Sequence, residues 1–285
     1  MIKKRTRIKM VLLEKLSVFE KIIGYLSYEL NNKPTMYGWF HLLFLGLFTF
    51  STIIISKKLK GSNTQEMNIF LRTVAIIMLL FEVYKQFVFT IEGGTWDYQW
   101  YIFPFQFCSV PMYVMFISSF LKEGRVKKAL YAFLGTYSLF GGLAVMLYPD
   151  TVFITTLGIS IQTMVHHGSM VLVGFTLLYS GHIVINRKEI IKAASIFFIL
   201  AGIAFLLNVV FHNVDGTFNM FFIGPYYDTS LPVFTIIENE LGYIPFLISY
   251  FLGFTLAAYL VLVSAIFIKE RHAAINDSKF NVKKA

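Results

Sequence analysis

A cysteine and two adjacent histidines lie in long apolar stretches of this sequence and are its strongest candidates for chemistry. Cys108 is the single cysteine among 285 residues, and His166 and His167 follow 58 and 59 residues later. A histidine within hydrogen-bond reach of a thiol can take its proton and leave a reactive thiolate, which attacks acyl groups. The pair therefore favours acyl transfer through a thioester, although a lone cysteine in a helix is also a common small apolar filler.

Further polar side chains in the apolar stretches could support such a site, because polar groups are costly inside a membrane. The supporting candidates are Gln106, Gln162, Glu82, Lys85, Asn208 and His212. The two glutamines or the asparagine could donate to a developing oxyanion. Glu82 and Lys85 are three residues apart in sequence, which suits an ion pair. Such a pair could relay protons or ions, hold a phosphate through the lysine, or only fix helix packing.

Metal binding is a weaker possibility. His41, His166, His167 and His212 could combine with Glu82, since imidazole and carboxylate bind zinc. No H-E-x-x-H pattern is present, and one cysteine excludes both an internal disulfide and Cys-x-x-Cys metal sites. We therefore expect no metal and no cofactor.

The composition places these residues in a membrane protein. Apolar residues make up 56% of the chain and charged residues 14%, and the mean hydropathy is +0.66. A soluble protein of this size needs far more polar surface. The net charge of +9 is typical of lysines and arginines at the cytoplasmic face and near anionic headgroups. We therefore expect membrane lipids, and no nucleic acid, as partners.

The apolar stretches predict an all-α polytopic bundle of about seven transmembrane helices, because backbone groups in lipid must be hydrogen-bonded internally. The predicted spans are 37–55, 69–91, 102–121, 127–147, 158–180, 193–212 and 243–268. Before them, residues 10–30 carry one apolar stripe and predict an amphipathic interfacial helix. The predicted organisation is a basic amphipathic segment over 1–34, a transmembrane domain over 35–268 and a basic tail over 269–285.

The loops alternate in charge along the chain. Lysines and arginines cluster after the first, third and fifth spans and in the tail, whereas 92–101, 148–157 and 213–242 contain none. The basic segments are expected in the cytoplasm, which places a multi-pass protein in the cell membrane with a cytoplasmic C-terminus. Seven spans then put the N-terminus outside, although residues 1–33 hold eight basic residues.

The candidate residues share one depth under this arrangement. A helix rises 1.5 Å per residue, so Cys108 and Lys85 lie roughly 9 Å, and His166 roughly 12 Å, below the outer boundary. The inner halves of the same spans are nearly all apolar. The pattern indicates a polar pocket in the outer half of the bundle.

Three segments resemble a known family. Pro104 followed by Phe105-Gln106-Phe107-Cys108-Ser109 resembles the P-x-x-x-C-S opening of a helix in the YwaF-like bacterial integral membrane family. Residues 216–225 resemble that family's G-x-N-Y-M-F-L signature, and 242–245 resemble its G-P-W-P motif, with Leu241 and Tyr243 departing from it. The resemblance covers roughly residues 37–268.

That family is similar to transmembrane protein 164 of eukaryotes, a membrane acyltransferase that moves acyl chains between phospholipids. The resemblance implies a Cys108–His166 site, with His167 as the alternative histidine, and a phospholipid or lysolipid substrate. A more distant kinship with membrane hydrolases of fatty-acid esters leaves lipid-ester hydrolysis open. A transporter that uses Glu82 and Lys85, and a non-catalytic scaffold, are the remaining alternatives.

Overall fold

The predicted all-α polytopic fold is confirmed. The computed structural model describes residue 22 and residues 24–91, 96–214 and 216–282, with side chains up to residue 271. Within these ranges the chain forms helices and one isolated β-bridge, and no strand longer than that. The helices are α1 (Trp39–Lys58), α2 (Thr64–Thr90), α3 (Val110–Ser118), α4 (Arg125–Leu147), α5 (Leu157–Ser180), α6 (Glu189–Phe211), α7 (Phe234–Leu241) and α8 (Tyr243–Val282).

Six of the seven predicted spans are continuous helices. In the described part of the chain, α1, α2, α4, α5, α6 and residues 243–271 of α8 are long and apolar enough to cross a membrane. Large apolar side chains such as Trp39, Leu80 and Leu252 are exposed along them, as lipid contact requires. A multi-pass membrane protein follows from these helices.

The remaining predicted span, 102–121, is the third along the chain and is not one continuous helix. A short 3₁₀ turn at Trp100–Ile102 is followed by irregular backbone, and α3 begins only at Val110. Pro111 explains this start, because its ring has no N–H and clashes with the carbonyl four residues earlier. The chain still crosses here, since 96–102 and 119–124 lie at opposite ends of the bundle. Irregular backbone is tolerated at membrane depth where protein buries it.

Hydrogen bonds define the two ends of the bundle. At the end that we call the basic end, Gly61 N donates to Ser180 O at 3.3 Å and Thr64 Oγ1 donates to Glu123 Oε1 at 3.1 Å. These bonds bring together the loops that follow α1, α3 and α5. The three basic loops therefore lie at one end of the bundle, as the alternation of basic and non-basic loops predicts.

The opposite end carries the N-terminal segment. Leu30 N donates to Thr155 O at 2.9 Å, and Leu157 N donates to Tyr28 O at 3.0 Å. Tyr84 Oη of α2 donates to Leu26 O at 2.6 Å. The predicted amphipathic helix over 10–30 lies mostly outside the described residues, but its described end is attached to the bundle on the side away from the basic loops.

Helix α5 lies at the centre of the bundle and carries both candidate histidines. Most of its side chains are buried, in contrast to α1 and α6, which expose broad apolar faces. Helix α4 approaches it closely at Gly142, where a Cβ atom would lie 2.8 Å from His167 O and 2.8 Å from Met170 Cβ. The missing side chain at Gly142 therefore lets α4 pack against the α5 backbone at the histidines.

Candidate functional site

Cys108 lies in the irregular segment just before α3. Its side chain is half-buried, and its neighbours Phe107 and Ser109 are buried. The Cys108 carbonyl accepts a hydrogen bond from His166 Nε2 at 2.9 Å. The two residues singled out by the sequence, 58 positions apart, are therefore in contact, through the cysteine backbone.

This hydrogen bond fixes the tautomer of His166. A carbonyl oxygen only accepts, so Nε2 must carry the proton and Nδ1 of the neutral ring holds a lone pair. Nδ1 is buried and has no hydrogen-bond partner among the described residues. His166 therefore presents a basic nitrogen on the side of its ring that faces away from the Cys108 carbonyl.

His167 has the complementary arrangement. Its Nδ1 lies 2.7 Å from the Thr163 carbonyl and must donate to it, which leaves Nε2 as the basic nitrogen. Nε2 is also buried without a partner in the ranges that the structure covers. The two histidine rings are 5.8 Å apart between centroids. His166 contacts the Cys108 carbonyl, whereas His167 bonds within α5 to Thr163. Gln162 is buried one turn before His166 on α5.

The ion pair expected on α2 is present. Lys85 Nζ lies 2.8 Å from Glu82 Oε1, and the Glu82 side chain is only 5% exposed. Gln86, one turn after Glu82, contacts both Glu82 and the segment that precedes Cys108.

Gln86 connects this ion pair to the segment that leads to Cys108. Its Nε2 donates to Glu82 Oε1 and to Ile102 O, each at 2.7 Å. Tyr98 Oη donates to Gln86 Oε1 at 2.8 Å. The sequence alone does not reveal these contacts, because the partners of Gln86 lie 12 and 16 residues away.

Gln106 and Asn208 hold a loop rather than facing the cysteine. Gln106 Nε2 donates to Asn219 O, and its Oε1 accepts from Phe221 N, both at 2.9 Å. Asn208 Nδ2 donates to Met220 O at 2.9 Å, and its Oδ1 accepts from Met220 N at 2.6 Å. Phe221 has a φ of 58°, a conformation that a bulky residue rarely adopts. Both amides therefore use their oxygen and one N–H to hold this backbone in place.

The two remaining histidines of the membrane stretches have structural partners. His41 Nδ1 accepts from Tyr37 N at 2.9 Å, and its Nε2 donates to Met146 O at 2.8 Å. His212 Nδ1 donates to Val209 O at 2.8 Å. Its ring stacks on Tyr226 with centroids 4.0 Å apart. Across the described residues, no group of three or more His, Cys, Asp or Glu side chains could hold a metal ion.

Tyr250 of α8 is a candidate that the sequence did not reveal. Its side chain is fully buried, and its hydroxyl has no hydrogen-bond partner in the described part of the chain. The ring stacks on Phe254 at 4.4 Å, and Phe254 contacts Phe107, the neighbour of Cys108, at 5.1 Å. In the sequence, the feature that could have pointed to Tyr250 is its position two turns into the last helix, at the depth of the other polar residues.

A family model agrees with the resemblance seen in the sequence. The model of the TMEM164 family matches residues 36–264, which is most of the chain and includes every candidate residue above. No curated protein and no solved structure matches the chain. The predicted relation to transmembrane protein 164 is thus confirmed, while the YwaF-like bacterial label stays a prediction. The chain belongs to the TMEM164 family.

Proposed function

We propose that this protein transfers an acyl chain between membrane lipids through a thioester on Cys108, with His166 as the general base. The observation that carries the proposal is the hydrogen bond from His166 Nε2 to the Cys108 carbonyl, which joins the two residues and leaves Nδ1 of the same ring as a buried basic nitrogen. A base oriented by a second hydrogen bond is the arrangement that activates nucleophiles in acyl transfer. Here the backbone of the nucleophile itself orients the base.

The first half-reaction forms the thioester. The Cys108 side chain turns toward His166 Nδ1, which has no hydrogen-bond partner among the described residues, and Nδ1 takes the thiol proton. The thiolate attacks the ester carbonyl carbon of a phospholipid. As the carbon–sulfur bond forms and the carbon–oxygen bond breaks, the leaving alkoxide takes the proton from Nδ1. The products are an acyl-cysteine and a lysolipid.

The second half-reaction passes the chain to an acceptor. The hydroxyl of a lysolipid or another lipid alcohol gives its proton to the same Nδ1 and attacks the thioester carbon. The carbon–sulfur bond breaks, and sulfur recovers the proton. Lys85, whose side chain is 17% exposed, is placed to bind a headgroup phosphate while it remains paired with Glu82.

Burial favours a lipid acceptor over water. His166, His167 and Glu82 are each at most 7% exposed. Exclusion of water suppresses hydrolysis of a reactive intermediate. We therefore expect transferase activity to exceed hydrolase activity at this site.

Transport through the Glu82–Lys85 pair has weaker support. The same Glu82 oxygen accepts from Lys85 and Gln86, and Gln86 also bonds to Ile102. These contacts fasten α2 to the segment before Cys108. A pair that holds two elements together in this way is better suited to positioning than to exchanging ions.

Trapping the thioester tests the proposal. Purified protein in detergent micelles is given a phospholipid with an alkyne-tagged acyl chain, and the label that remains on the protein is measured. Because Cys108 is the only cysteine, a label released by neutral hydroxylamine reports an acyl group on this residue. We expect labelling of the natural protein, none in Cys108→Ala, and strongly slowed labelling in His166→Ala.

His212→Ala is the matched histidine control, because the described contacts of its side chain are the Val209 carbonyl of α6 and the Tyr226 ring. It should label at the natural rate. Addition of a lysolipid should discharge the label into a diacyl lipid. If Cys108→Ala still acylates lysolipid, the proposal is wrong, and if the label leaves chiefly as free fatty acid, the protein is a hydrolase.

A further inference from the structure

Acyl transfer needs a hydrogen-bond donor, and two of the amides considered for it, Gln106 and Asn208, are engaged elsewhere. When the thiolate attacks an ester, the carbonyl oxygen becomes an oxyanion, and donors aimed at it give some of the largest catalytic effects known. Gln106 and Asn208 are engaged with the backbone of residues 219–221. The bonded nitrogens of His166 and His167 donate to carbonyls.

The Tyr250 hydroxyl is a buried donor with no acceptor among the residues that the structure describes. Buried polar groups are usually hydrogen-bonded, and an exception calls for an explanation. Phenylalanine would fill the same place in the aromatic stack with Phe254 and Phe197 without leaving a hydroxyl unsatisfied. Tyr137, in the same aromatic cluster, does bond, to Thr255 Oγ1 at 2.8 Å.

Tyr250 also lies at the depth of the proposed reaction. It is seven residues into α8, which begins at Tyr243 at the end opposite the basic loops. A rise of 1.5 Å per residue places it roughly 10 Å along the helix, and His166 is roughly 13 Å along α5 from Leu157 by the same measure. Both helices start at the same end of the bundle, so the two side chains share one layer.

Packing places the tyrosine near Cys108. Its ring is joined through Phe254 to Phe107, with successive centroid distances of 4.4 Å and 5.1 Å. The Tyr250 ring is therefore two ring contacts away from the residue that precedes Cys108.

We propose that Tyr250 is a catalytic residue whose hydroxyl donates a hydrogen bond to the oxyanion formed on the Cys108-bound acyl group. The proton stays on the tyrosine oxygen throughout, so the role adds no proton-transfer step. This inference rests on the proposed thioester mechanism. It adds to that mechanism the group that stabilises the charge developing in both half-reactions.

Tyr250→Phe and Tyr137→Phe form a matched pair, because each removes one hydroxyl from the same aromatic cluster. Loss of one oxyanion donor lowers kcat by about 100-fold to 1,000-fold. We expect Tyr250→Phe to show a loss of this size with little change in KM, and an unfolding temperature that is equal to or above that of the natural protein. Tyr137→Phe should lower the unfolding temperature, because Thr255 loses its partner, and keep kcat.

The outcomes separate this inference from the thioester mechanism. A natural protein that is acylated on Cys108, together with a Tyr250→Phe variant of full kcat, overturns the tyrosine role and leaves the mechanism standing. A Tyr250→Phe variant that loses stability and activity in parallel, as judged by its unfolding temperature, makes the hydroxyl structural and also overturns the role. Absence of any acyl group on Cys108 in the natural protein overturns both.

Discussion

Substituting Gly142 by alanine tests how tightly the histidine helix is held. A Cβ atom at this position of α4 would lie 2.8 Å from the His167 carbonyl and 2.8 Å from Met170 Cβ. A backbone oxygen cannot rotate away as the end of a long side chain can. The two helices must therefore separate, and α5 must shift at the residues that carry the candidate bases.

Gly202→Ala in α6 is the reference for the stability change expected of Gly142→Ala. A Cβ atom there meets nothing within 4 Å, so Gly202→Ala changes only the helix propensity and should stabilise by about 0.5–1 kcal/mol. The same propensity gain applies to Gly142→Ala and cancels in the comparison. What remains is the overpacking of α4 against α5, about 1–3 kcal/mol. We expect Gly142→Ala to be less stable than Gly202→Ala by this amount.

Thermal unfolding of both variants in one detergent measures the difference, and acylation of Cys108 measures the effect on the site. Gly142→Ala should unfold several degrees below Gly202→Ala and should acylate more slowly, because His166 is adjacent to the displaced carbonyl. Equal unfolding temperatures for the two alanine variants would refute the close approach of α4 and α5. A lower unfolding temperature with an unchanged acylation rate would show that the shift does not reach His166.

Three further predictions concern the surroundings of the site and the basic end. Gln106→Leu leaves two buried backbone groups of the loop without partners, so stability should fall by about 1–3 kcal/mol for each, measured by thermal unfolding. Lys85→Met should destabilise by about 3–5 kcal/mol because Glu82 stays buried without its cation, and adding Glu82→Gln should restore most of the loss. Burial raises the pKa of Glu123, but the hydrogen bond and charge of Lys127 outweigh it and lower that pKa below its usual range. Its stabilising effect is therefore present above the usual carboxyl range and lost as the pH falls through the lowered pKa, so Glu123→Gln should flatten the acid side of a plot of unfolding temperature against pH.

The spanning helices could be predicted from sequence because the membrane leaves few choices. A run of about 20 apolar residues must form a helix to satisfy its backbone. The prediction of 158–180 differs from α5 by one residue at its start, and that of 127–147 differs from α4 by two. The same rise per residue predicted a shared depth for Glu82, Lys85 and His166, and the ion pair suggested by the spacing of Glu82 and Lys85 is present.

The roles of the amides could not be predicted, because they depend on contacts between distant parts of the chain. Gln106 and Phe221 are 115 residues apart. No local sequence pattern indicates whether a glutamine will bond to a distant loop or to a reaction intermediate. Tyr250 was missed for a related reason. A tyrosine in an apolar helix is ordinary, and only the packing around it shows that its hydroxyl is left without a partner.

The wrong expectation of a continuous helix over 102–121 explains how the site can exist. In a regular helix the Cys108 carbonyl would accept from the N–H of Met112, four residues later. Here Met112 N donates instead to Ser109 O at 3.3 Å. The Cys108 carbonyl is therefore left for His166 Nε2. Pro111 has no N–H to donate to the Phe107 carbonyl, and its ring clashes with that carbonyl, so a regular helix cannot continue back through the residues around Cys108. The proline thus keeps Cys108 outside α3, where its carbonyl accepts from His166, and a sequence with a longer, more regular helix here would lose that contact.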